Sequence, residues 1–202
     1  MIIDFTKLAS KFKLHINGVI HVGAHVGQEY EVYKKLGILN IVWFEPIPKT
    51  YRRLIGNLPK GAHTYNIALG NDEGEKEMFV ETVNQGMSNS LLPPGTHLNS
   101  YPNITFDSKE KVQMLKLDNF GFTSYNMLNM DVQGFELEVL KGSEKTLKHI
   151  DIIYTEINTE EVYVGCVQVN KLDEFLAAHG FSRVFTQMAH KSWGDALYLK
   201  TK

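Results

Sequence analysis

The feature that most constrains this chain is its alternation of short, unbroken apolar runs with stretches of helical spacing. Residues 19–22 read Val-Ile-His-Val and are closed by Gly23, and residues 41–44 read Ile-Val-Trp-Phe and are closed by Glu45-Pro46. A strand covered on both faces shows no polar alternation, so such runs predict buried strands of a parallel sheet. Between them, residues 27–37 carry Tyr30, Tyr33 and Leu36 at helical spacing and stop at Gly37. A second helix is predicted over 48–58 and a third strand over 63–69. The order β-α-β-α-β builds a parallel sheet covered by helices.

The rest is less uniform. A strand is predicted over 77–82, after the turn Asn71-Asp72-Glu73-Gly74. Residues 84–108 hold three of the six prolines with little periodicity, and so long an irregular stretch is expected to be a lid or a binding loop. Strands are predicted over 112–117 and 125–130, then a helix over 135–147 with Leu137, Leu140 and Leu147 on one face. A strand over 150–157, a helix over 170–179 and strands over 181–185 and 196–200 follow. The expectation is a single α/β sandwich over 1–202, with a helical extension at 1–16 and antiparallel pairing at the C-terminal end.

Composition narrows the function. The chain has 202 residues, 43% of them hydrophobic, which suffices for one buried core. Its net charge is −2 and only Arg52, Arg53 and Arg183 are arginine, which argues against a protein built to grip phosphate backbones. The lone Cys166 forms no internal disulfide and no cysteine-based zinc site. No apolar run reaches the roughly 18 residues that span a bilayer, and the first 16 residues lack a signal-peptide core. The expected setting is cytoplasmic, with neither nucleic acid nor membrane insertion.

In open α/β sheets, ligands bind beyond the carboxyl ends of the strands. The first strand ends in His21-Val22-Gly23-Ala24-His25-Val26-Gly27-Gln28. Its glycines let a backbone approach a ligand, but the dinucleotide fingerprint would need glycine at 25 and 28, where His25 and Gln28 stand. An NAD-dependent oxidoreductase is therefore disfavoured. Glu45, some 20 residues on, suits the two hydroxyls of a ribose, and the backbone edge at 66–70 suits an adenine; together they read as a nucleoside site. Asp131 closes the strand at 125–130, and Glu156 and Asn158 close the next. Asp131 can hold an ammonium group or take a proton from a hydroxyl. A divalent ion between Asp131 and Glu156 is the weaker reading, and no metal site is expected.

These stretches together resemble the FkbM family of S-adenosylmethionine-dependent methyltransferases. The resemblance runs through VIHVGAHVGQE at 19–29, WFEP at 43–46, IALGN at 67–71, KLD at 116–118 and NMDVQGFELEVLKG at 129–142. It also takes in TEINTEEVYVG and WGDALY near the C-terminus. It implies a Rossmann-like sandwich with a mostly parallel seven-stranded sheet and an antiparallel C-terminal hairpin, and S-adenosylmethionine as cofactor. The residues implied to hold the cofactor are His21, Gly23, Ala24, Gly27 and Gln28 in the turn, then Glu45 and Pro46, Ile67 and Ala68, and Asp131. Two positions depart from the family pattern: His21 stands where an acid is usual, and Gln133 where glutamate is.

The reaction implied is methylation of a hydroxyl, on a sugar or glycan. The alternatives are a lipid, natural product or small phenol as acceptor, or a binding module without chemistry. Asp131 is the first candidate for the general base, followed by His25, Glu156 and His190. Acceptor recognition is expected from Ser88, Asn89 and Ser90 in the 84–108 segment and from Asn158, Tyr163, Trp193 and Asp195 in the C-terminal part.

Overall fold

The computed structural model describes residues 4–201, so the first three residues of the expected N-terminal extension and Lys202 lie outside the described residues. Helix α1 (Phe5–Lys11) begins where the Asp4 side chain accepts the amides of Thr6 and Lys7. The apolar runs then form β1 (Val19–Val22) and β2 (Ile41–Phe44), separated by α2 (Tyr30–Lys35) and followed by α3 (Pro48–Asn57). The predicted third strand is divided. Residues His63–Tyr65 form β3 beside β2, and Ala68–Leu69 form β4 in a different sheet. Asn66 marks the break: its side-chain amide donates to the carbonyls of Glu45 (2.9 Å) and Pro46 (2.8 Å), which turns the chain out of the ladder.

Strand β5 (Gly74–Val80) pairs antiparallel with β6 (Ser108–Leu115), and β4 pairs parallel with β6, forming a small three-stranded sheet. The strands expected over 77–82 and 112–117 thus begin earlier in the chain and stand outside the main sheet. Between β5 and β6 the irregular segment contains one short helix, α4 (His97–Ser100). Strand β7 (Met127–Met130) leads to α5 (Glu136–Lys141), then to a 3-10 turn at Thr146–His149 and β8 (Ile152–Asn158). Helix α6 (Val169–Ala178), β9 (Phe181–Met188) and β10 (Trp193–Lys200) complete the chain.

The predicted helix over 135–147 is cut at Gly142, where a Cβ would lie 2.1 Å from the Gly70 carbonyl oxygen. That contact docks the end of α5 against the loop after β4.

The main sheet has seven strands in the order β3-β2-β1-β7-β8-β10-β9, parallel except where β10 pairs antiparallel with β8 and β9. Successive residues of each central strand feed opposite cores. Ile20, Val42, Leu128 and Ile153 pack with Val139 and Leu140 of α5 and Leu172 and Leu176 of α6. Val19, Ile41, Met127 and Ile152 pack with Phe5 and Leu8 of α1, Tyr33 of α2 and Leu54 of α3. Burial on both faces is why these strands read as continuous apolar runs.

Candidate functional site

A cavity of about 300 Å³ opens at the carboxyl ends of β1, β2, β7 and β8. It lies at the low end of the range for small-molecule sites. Its floor is the turn after β1, which is stitched to β2 by bonds from the Gly23 and Ala24 amides to the Phe44 carbonyl (3.0 and 2.9 Å). Gly23 has φ +77°, and a Cβ there would lie 1.9 Å from the Asp131 carbonyl oxygen. The turn therefore requires glycine both for its left-handed backbone and for its contact with the end of β7. Gly27 packs on Leu54 of α3, and neither it nor Ala24 is in the cavity wall.

Glu45 stands in the wall after β2, 6% exposed. One carboxylate oxygen accepts the His25 amide (2.9 Å) and the other the Ile47 amide (2.9 Å). Burial outweighs these bonds and pushes the carboxyl up to about 7. Pro46, Ile67, Ala68, Leu69, Met78 and Phe135 give this end of the cavity an apolar wall.

His21 touches the cavity floor but is 1% exposed. It stacks on Trp43 with ring centroids 4.9 Å apart, and its Nδ1 lies 3.2 Å from the Tyr33 hydroxyl. Burial pushes this imidazole down to about 3, so it is neutral at physiological pH. Its Nε2 lies 3.9 Å from a carboxylate oxygen of Glu29, a cavity residue to which sequence reasoning assigned no role. His25 engages both ring nitrogens: Nδ1 accepts the Gln28 side-chain amide and Nε2 donates to the Gln85 carbonyl, each at 2.9 Å. With its lone pair occupied, this ring ties the glycine turn to the 84–108 segment.

At the far end, the Gln133 side-chain amide donates to Asp131 Oδ1 (2.8 Å) and to Glu156 Oε2 (2.9 Å). Burial and the neighbouring carboxylates of Asp131, Glu136 and Asp195 hold the Glu156 carboxyl well above the usual range. Glu136 accepts the amides of Val132 (3.3 Å) and Gly134 (3.2 Å) with one oxygen, and burial pushes it up to about 7. It shapes the turn that presents Asp131.

The 84–108 segment supplies the remaining wall, with Ser88, Asn89, His97 and Tyr101 among its polar residues. The Trp193 indole donates to the Tyr101 hydroxyl (2.9 Å), so Trp193 joins this wall from β10. His97 and Tyr101 carried no signal in the sequence, because nothing periodic marks α4. Ser90 and Tyr163 stand behind the wall, both bonded to Gln133. Asn158, Asp195 and His190 are also outside it. Asn158 is 1% exposed with no side-chain partner among the described residues, Asp195 accepts the Tyr154 hydroxyl (2.8 Å), and His190 pairs with Ser192 (2.7 Å).

A seven-stranded sheet of this order, with a glycine turn after its first strand and an acid after its second, defines the Rossmann-like methyltransferase class of fold. The family model described as the methyltransferase FkbM domain matches residues 21–183, and the chain belongs to that family of S-adenosylmethionine-dependent methyltransferases. It is 24% identical over 196 residues to the 2-O-methyltransferase NoeI of Sinorhizobium fredii, covering 91% of this chain and 79% of that protein. Among solved structures it resembles an FkbM methyltransferase from Methylobacillus flagellatus KT, with TM-score 0.55 and 11% identity. That match covers 91% of this chain, which spans 43% of the Methylobacillus chain. It also resembles the magnesium protoporphyrin IX methyltransferase of Synechocystis PCC 6803, solved with S-adenosylmethionine, at TM-score 0.56 and 12% identity, covering 97% of this chain and 76% of that one. At these identities the solved structures speak for the fold alone. No helix among the described residues is long and apolar enough to cross a membrane.

Proposed function

We propose that this chain transfers a methyl group from S-adenosylmethionine to a hydroxyl of a sugar or glycan. The observation that carries the reading is one cavity bounded by the Gly23 turn, Glu45 and Asp131, each at the carboxyl end of a neighbouring strand. These residues fit the cofactor. Each Glu45 oxygen accepts one backbone amide and retains a second lone pair for a ribose hydroxyl. The apolar wall around Ile67, Ala68 and Phe135 suits an adenine, and the carboxylates of Glu29 and Asp131 suit the cationic amino-acid end.

When bound, the cofactor supplies an electrophilic methyl group on a sulfonium. The protein's part is to hold the acceptor oxygen in line and to take its proton. Asp131 is the group for that proton. His25 has its lone pair engaged by the Gln28 side-chain amide, which leaves it no acceptor for the proton. A base in that position contributes roughly 10²–10⁴-fold. Oxygen as the acceptor atom is supported by the similarity to NoeI, a 2-O-methyltransferase. A sugar is supported by the polar and aromatic wall of Ser88, Asn89, Tyr101 and Trp193. In this reading residues 84–108 act as the lid over the acceptor.

Calorimetric titration with S-adenosylhomocysteine, with NADH as control, tests the cofactor. Micromolar binding of the former alone is expected, and no binding to folded protein would sink the reading. Methyl transfer to a sugar panel then tests the acceptor, with Asp131→Asn expected to bind cofactor and lose at least about 10²-fold in kcat. Full turnover by that variant would remove Asp131 as the base.

A further inference from the structure

We propose that Gln133 is a positioning residue: its amide joins Asp131 and Glu156 into one hydrogen-bonded pair and fastens that pair to the 84–108 segment. The proposal rests on the preceding reading only where turnover is measured. Every polar group of the Gln133 side chain is committed. The two N–H bonds reach Asp131 Oδ1 at 2.8 Å and Glu156 Oε2 at 2.9 Å, and Oε1 accepts the Tyr163 hydroxyl at 2.6 Å. The Tyr163 hydroxyl also lies 3.1 Å from the Ser88 carbonyl, and the Gln133 carbonyl accepts the Ser90 hydroxyl at 2.7 Å. Gln133 has φ +53°, a left-handed backbone that is strained for a residue with a side chain and persists only where neighbours enforce it. The bonds from Ser90 and Tyr163 supply that enforcement.

Two carboxylates meeting at one point repel, and the usual relief is a shared proton or a cation. Here an uncharged amide stands between them and donates to both. A glutamate at 133 has no such donors: ionised, it adds a third negative charge, and protonated, it donates to one partner only. The residue therefore sets how many protons the pair must hold. The other titratable groups facing the pair are Glu136 of α5, Asp195 of β10 and Tyr163, which follows β8, together with His21 of β1 and Glu29, which face Asp131.

The experiment uses the full chain with Gln133→Glu, Gln133→Met and Tyr163→Phe. In Gln133→Glu the acid limb of the kcat profile is expected to move up by at least one pH unit, a tenfold loss at a fixed low pH. Titration with Mn²⁺ alone is expected to raise its melting temperature, because three carboxylates then converge, while wild type shows no rise. Gln133→Met is expected to lower kcat with the KM for cofactor unchanged. Tyr163→Phe keeps Gln133 and is expected to shift the acid limb the same way by less, which keeps the idea testable if the Gln133 variants do not fold. An unmoved pH limb in both Gln133→Glu and Tyr163→Phe overturns the proposal, as does an equal Mn²⁺ response in wild type. If no acceptor is methylated, the Mn²⁺ arm still reads the pair, so failure of the function and failure of this inference remain distinguishable.

Discussion

Gly23 packs directly against the backbone at the end of β7, and its demands are steric before they are functional. Gly23→Ala puts a Cβ 1.9 Å from the Asp131 carbonyl oxygen on a backbone with φ +77°. The expected outcome is a loss of at least about 2 kcal/mol in urea denaturation. Calorimetry should show weakened S-adenosylhomocysteine binding as well, and an unchanged midpoint would show that the turn adapts. At this scale the position of the cavity was legible. Gly23 and Glu45 each close an apolar run and Asp131 closes the strand predicted over 125–130, and a residue that closes a parallel strand falls at the sheet's ligand edge. His21 was legible as a departure, but its neutrality was not, because it comes from Trp43 and Tyr33 packed against it.

Among the elements, part of the family motif proves to do structural work. Asp118 of the Lys-Leu-Asp segment accepts the amides of Lys145 and Thr146 and the Thr146 hydroxyl, all within 2.9 Å, so it anchors the 3-10 turn after α5. Asp118→Ala is expected to cost about 1–2 kcal/mol, with S-adenosylhomocysteine affinity unchanged. A fall in affinity without a fall in melting temperature would contradict this. Gly142, in the same motif as Asp131, serves the packing of α5 on Gly70. Spacing alone could not separate these roles, since a cap and a ligand contact use the same residue types. Nor did apolar content separate β3 from β4; the Asn66 side chain did, through partners 20 and 21 residues away.

For the whole molecule, burial of ionisable groups around the cavity couples folding to pH. Glu45 and Glu136 are both raised from 4.5 to about 7, so their native forms bind protons more tightly than the unfolded chain does. Their contribution is fully present below pH 4.5 and is lost as pH rises through about 7. His21, lowered from 6.5 to about 3, acts oppositely: its contribution is present above pH 6.5 and is lost as pH falls. These slopes overlap, so the test is a difference. Glu45→Gln should gain stability relative to wild type as pH rises from 5 to 7, by at most about 1.4 kcal/mol per unit of the shift. A difference constant with pH, measured by urea denaturation, would show that Glu45 titrates normally.

The alternation of strand and helix, the turn glycine and the acids that close the strands were all determined by the sequence, because period and backbone sterics act over a few neighbouring residues. Tertiary structure alone decided what those residues meet. Gln133 reaches Glu156 and Tyr163 across 23 and 30 residues, and the 84–108 segment becomes a cavity wall only by folding back over β1 and β7. Desolvation and hydrogen-bond partnership depend on atoms brought close in space. That is why the direction in which His21, Glu45 and Glu156 depart from their ordinary proton affinities was set by the assembled sheet.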